Sequence, residues 1–268
     1  MVVRFDATKA LVDQFVDHHG MMEIYSHLYA SATLFILSLV AVFLIYRVLV
    51  RESSLTWPGI AAGMISVGLI GLGEGAEHFF TSPFAHDFFH YLHMIAAPVA
   101  LYFLYRGTIE FIGESPDRPQ YGFGGPKKPL SSNAIVAIFG AMFLIVLVLA
   151  SLAEVPWDPR IELPFLYITL IPTLILTAIL VHISEEITES LVMVFIPIIA
   201  VFVSLLALDI WFGRYVDIWG NAPLYVITHN IQNVLHVLNG AILLLFSISV
   251  SRAYRLGVLY AGGERPEH

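Results

Sequence analysis

The sequence predicts an all-α fold, a polytopic membrane protein with a seven-transmembrane-helix bundle and a short interfacial N-terminal helix. Three observations carry that expectation. Apolar residues make up 58% of the 268-residue chain and charged residues only 13%, against about 25% charged in soluble domains. Several stretches reach the roughly 20 apolar residues needed to cross a bilayer. The polar residues that interrupt those stretches recur at the spacing of one helix face.

In chain order, residues 5–20 read as an amphipathic segment lying at the interface. Asp6, Asp13 and Asp17 make it too polar for a cleavable signal peptide. Spans are expected over 27–49, 55–78, 87–112, 132–154, 163–184, 188–211 and 223–251. They divide the chain into an interfacial segment 1–22, a transmembrane domain 23–256 and a tail 257–268. The hydrophilic stretch 113–131 holds Gly113, Pro116, Pro119, Gly122, Gly124, Gly125 and Pro126, and reads as a linker, not a domain.

Basic residues orient the bundle. Arg47, Arg51, Arg106, Arg118, Lys127, Lys128, Arg252, Arg255 and Arg265 fall on one side, and only Arg4, Lys9, Arg160 and Arg214 on the other. Positive charge is retained in the cytoplasm, so the expected placement is a multi-pass cell-membrane protein with its N-terminus outside and C-terminus cytoplasmic. A net charge of −8 argues against a nucleic-acid partner. The absence of cysteine excludes disulfides, iron–sulfur clusters, thiolate metal sites and covalently attached c-type haem.

On that orientation the histidines gather. His18, His19, His27, His78, His86, His90, His93, His229 and His236 lie outside or in the outer half of the membrane, leaving His182 on the inner side and His268 at the terminus. At about 100° per residue, His86, His90, His93 and Ala97 share one helix face, as do His229, Asn233, His236 and Gly240. Gly71, Glu74 and His78 form a third stripe, and His19, Glu23 and His27 a fourth. The rise per residue puts His86 about 10 Å from His93, so the stripes are expected to make two rungs. The upper rung would hold His27, Glu77, His78, His86 and His229, and the lower Glu74, His90, His93 and His236. A single membrane histidine is most often a structural hydrogen-bonding group; a set confined to one side suggests a site.

Three chemistries fit such a set. In the first, His93 and His236 ligate haem b from facing helices, with His90 and His229 beside the cofactor. The glycines of the second span, Gly63, Gly68, Gly71, Gly73 and Gly75, would leave room for the ring or else serve close helix packing. A quinone would bind at the upper rung, and Glu74 or Glu77 would accept its proton. In the second, His27, His78, His86 and Glu74 are metal ligands, and Glu74, His78, His90 and His229 could converge on one zinc, iron or copper ion. The run from His86 to His93 resembles one histidine box of the membrane di-iron hydroxylases and desaturases; the other boxes are missing, and the run lies on the opposite membrane side from that family's site. In the third, His18, His19, Met21, Met22 and His27 collect copper for transport, with His182, Glu185 and Glu186 as the inner mouth. A retinal Schiff base is excluded, because the seventh span has no lysine. The expectation is therefore a membrane redox protein that holds iron as bis-histidine haem b and exchanges electrons with a quinone or a periplasmic redox partner, with a non-haem His/Glu metal enzyme and a transition-metal transporter or sensor as the alternatives. So little of the chain lies outside the bilayer that it is expected to be a subunit of a complex.

Overall fold

The computed structural model describes residues 21–49, 57–80, 82–113, 130–152, 171, 175 and 222–255. Five long helices account for nearly all of them: α1 (Met21–Leu49), α2 (Trp57–Glu77), α3 (Pro83–Gly113), α4 (Ser132–Leu152) and α5 (Ala222–Arg255). Each contains a segment long and apolar enough to cross a membrane. The chain is thus an all-helical membrane protein. The expected spans over 163–184 and 188–211 and the interfacial segment 5–20 lie outside the described residues, apart from the isolated helical positions 171 and 175.

Helix boundaries follow local chemistry. Phe79 N donates to Ala76 O at 3.0 Å, closing the end of α2. Ser82 then precedes Pro83, a residue whose fixed φ and missing N–H suit the first helical position. The α3 helix therefore starts four residues before the expected 87, and His86 is already helical. The α1 helix likewise begins at Met21 instead of 27.

The helices pack in the order α5, α1, α2, α3, α4. Small residues set the closest approaches. A Cβ placed on Gly59 would lie 3.2 Å from Gly107 Cα, and one on Gly73 would lie 2.7 Å from Phe89 O. Residues thus pair in opposite order along α2 and α3, which run antiparallel. A second glycine face of α2 meets α1: a Cβ on Gly71 would lie 2.7 Å from Ser31 O, and one on Gly75 would lie 3.3 Å from Ser31 Cβ. Gly240 brings α5 against Leu34 and Leu37 of α1. One contact nearer the start of both helices joins Asn233 to His27, so α1 and α5 run parallel.

Leu34, Met64, Leu92, Ala96, Leu101 and Leu104 belong to the packed interior. Val136, Leu144, Ile145 and Val148 on α4 and Ile36, Val40 and Phe43 on α1 are exposed. Large apolar side chains turned outward on helices of this length imply a lipid bilayer environment.

Candidate metal centre

The site is built at one end of the bundle, where α2 finishes, α3 begins, and the first halves of α1 and α5 pass alongside. Glu74 and Glu77 lie one turn apart at the end of α2. They are about 60° apart around the axis and address different neighbours.

Glu77 faces α3. Its Oε2 lies 3.1 Å from His90 Nδ1 and 3.5 Å from His93 Nδ1, and its Oε1 lies 3.4 Å from His78 Nε2. One ligand atom from each of Glu77, His90 and His93 lies within 4.8 Å of the others, close enough to hold a metal ion. The His90 and His93 rings meet edge to face, with centroids 5.2 Å apart. Nearer the end of the bundle, His86 stacks on His90 at 6.0 Å, and its Nδ1–H donates to Asp87 Oδ1 at 3.0 Å. Burial pushes the His78 imidazole down to about 3, and the Glu77 carboxylate beside it opposes that shift only in part. At neutral pH this ring is uncharged.

Glu74 faces α5 and α1. Its Oε2 lies 2.6 Å from His236 Nε2, its Oε1 lies 3.9 Å from His27 Nε2, and the Gln232 amide donates to the same Oε1. His27 also stands edge to face with His78 at 5.1 Å, which joins the Glu74 and Glu77 groups. Glu74, Glu77, His27, His93, Gln232, Asn233 and His236 are all buried. A lone charge in such surroundings would be costly, so each carboxylate is surrounded by ring nitrogens or amide donors.

Of the residues singled out in the sequence, His27, Glu74, Glu77, His78, His86, His90, His93 and His236 lie together at this end. The side chain of His229 lies outside the described residues, as do His18, His19, His182, Glu185 and Glu186. The grouping is not by rungs. Glu77, expected level with His86, reaches His90 and His93; His27, expected in the upper rung, reaches toward Glu74. Side chains lean toward the N-terminus of their own helix. On antiparallel α2 and α3 they lean toward each other, so Glu77 meets histidines whose backbones start deeper in the bundle. Gln232 and Asp87 were not singled out as site residues, and Asn233 was placed only on the face shared with His229 and His236. A polar residue four positions before His236 was the available signal for Gln232, since it occupies the same face one turn earlier.

Neighbouring backbone closes on Gly59, Gly71 and Gly73 of α2, and side chains close on Gly63 and Gly75. Gly73 sits where a Cβ would lie 2.9 Å from both Cβ and N of His93. They serve close helix packing at the site.

In comparisons with known proteins, no family model matches the chain, and no curated protein and no solved structure shows significant similarity to it.

Proposed function

We propose that the chain is a membrane-embedded non-haem metalloprotein in which Glu77, His90 and His93 hold a transition-metal ion used for redox chemistry. The observation that carries this reading is the convergence of two imidazoles and one carboxylate, from two helices, within 4.8 Å. Two histidines and one carboxylate with coordination positions left open is the ligand set of non-haem Fe(II) centres, and it also suits zinc and copper. When bound, iron there would supply one-electron chemistry and Lewis acidity. The protein's own contribution is a buried setting, a carboxylate that offsets the ion's charge, and a neutral His78 beside that carboxylate. His86, partly exposed and hydrogen-bonded to Asp87, is suited to exchange protons between the pocket and the surface.

A centre placed on membrane-spanning helices makes a quinone the natural two-electron partner, with Glu74 or Glu77 receiving its proton. The excess of basic residues on the opposite side supports an outward-facing site, and the small mass outside the membrane supports work within a larger complex. Haem b between His93 and His236 is the less well supported form of the redox reading. Gly73 is packed against His93 and Gly240 against Leu34 and Leu37, so neither glycine leaves space for a macrocycle.

Elemental analysis and an absorption spectrum of the purified protein test this. Iron at one equivalent or more, no Soret band, and loss of metal in Glu77→Gln and His90→Ala are expected. A Soret band together with an α band that sharpens on reduction, or a protein that no divalent transition metal loads, overturns it.

A further inference from the structure

Glu74 and His236 stand at a direct hydrogen-bond distance, 2.6 Å from Oε2 to Nε2. The other ring nitrogen, Nδ1, lies 2.9 Å from the Gln232 carbonyl. A backbone carbonyl only accepts, so Nδ1 carries a proton. Two bare lone pairs on Nε2 and Oε2 would repel at this distance, and burial would magnify the cost. A second proton therefore sits between them. The Gln232 amide donates to Oε1, which leaves Oε2 as the oxygen that shares it. The pair holds one proton more than a neutral imidazole beside an ionised carboxylate.

His236 is 0% exposed and Glu74 5%. With the shared proton the pair has no net charge, whether as imidazolium with carboxylate or as imidazole with carboxylic acid. Without it the pair carries a buried negative charge, which is costly unless a cation stands nearby. The Glu77 centre is in position to supply one. Glu74 and Glu77 are separated by about 4.5 Å of helix rise, and neither Glu74 nor His236 belongs to the group of Glu77, His90 and His93. Among the described residues, the other titratable groups facing the pair are His27 from α1, with Nε2 3.9 Å from Glu74 Oε1, His93 from α3, and Glu77 and His78 from α2 itself.

We propose that Glu74 and His236 are the proton store of the metal centre, binding one proton between Nε2 and Oε2 with each electron that the centre gains and releasing it when the electron leaves. That role rests on the redox reading of the Glu77 centre and assigns the proton to a pair outside its ligands. An added electron lowers the charge of the centre by one, and a proton bound nearby restores the local total. The electron comes from a quinol and the proton from the aqueous phase. Gln232 is a positioning residue: its carbonyl holds the His236 ring and its amide orients the carboxylate.

Two measurements on the full chain in detergent test the pair. In metal-free protein at neutral pH, NMR of nitrogen-labelled histidine and carbon-labelled glutamate should show either a doubly protonated His236 ring or a protonated Glu74 carboxyl. A neutral ring beside an ionised carboxylate overturns the proposal. In iron-loaded protein, the midpoint potential should fall by about 59 mV for each tenfold drop in proton concentration, the value for one proton per electron. Glu74→Leu/His236→Leu removes the pair without stranding either partner, and should keep its iron while losing that slope. Should this variant lose its helical circular dichroism, Glu74→Gln/His236→Gln is read in its place, since it keeps a hydrogen bond but cannot take up the proton. A pH-independent potential in wild type, or a slope kept in the double variant, overturns the proposal and leaves the metal site standing. Failure of wild type to bind iron overturns the redox reading and the proposal with it.

Discussion

His236 Nε2 lies 2.6 Å from Glu74 Oε2, a contact that ties α5 to α2 although neither helix packs its backbone closely on the other. Both side chains are buried. Removing one member of such a pair strands the other in a low-dielectric interior, which typically costs about 3–5 kcal/mol, whereas replacing both by apolar residues is often neutral. His236→Leu in the metal-free protein should therefore lower the unfolding midpoint sharply, and Glu74→Leu/His236→Leu should recover most of the loss. A double-mutant cycle in detergent measures the coupling, and additive effects would contradict the pairing.

Gly73 is the position where α2 and α3 meet beside the histidines. An alanine Cβ there would lie 2.7 Å from Phe89 O and 2.9 Å from His93 N, so the helices must separate. Gly73→Ala should cost about 1–3 kcal/mol, as overpacking does, and should weaken metal binding because His90 and His93 move with α3. Gly140→Ala is the matched control, since nothing lies within 4 Å of its added methyl. It should be stabilising by about 0.5–1 kcal/mol through helix propensity, read as a thermal midpoint.

His78 makes the fold sensitive to acid. Its folded-state value of about 3 lies below the ordinary imidazole value of 6.5, so the unfolded chain binds a proton more readily in between. Stability from this group is therefore complete above about pH 6.5 and falls as pH drops toward 3, by at most about 1.4 kcal/mol per pH unit. Thermal midpoints of metal-free protein at pH 7 and pH 5 should differ, and His78→Phe should shrink the difference. An unchanged slope in that variant would falsify the assignment.

Asn239 is fully buried one turn beyond His236, and among the described residues neither its amide nitrogen nor its oxygen has a hydrogen-bond partner. Burying an unsatisfied polar group costs about 1–3 kcal/mol. Asn239→Leu should accordingly raise the unfolding midpoint, whereas a fall would show that the amide holds a water molecule or another polar partner that leucine cannot.

The membrane fold and the membership of the site were legible from composition and periodicity. Apolar runs of bilayer length and histidines at spacings of three, four and seven depend only on helix geometry, which the chain specifies locally. That was enough to bring His27, Glu74, His90, His93 and His236 to one end. Which carboxylate serves which histidine depends instead on how far α3 starts after α2, on how antiparallel side chains lean, and on how closely glycines let the backbones approach. Gly73 illustrates the limit: its sequence context allowed either room for a ring or tight packing, and only the neighbouring Phe89 and His93 atoms decide between them. Periodicity puts Gln232 and Asn233 near the His236 face, but their partners come from α1 and α2, elements more than 150 residues away in the chain, and local spacing does not say which side chain across the bundle each one meets.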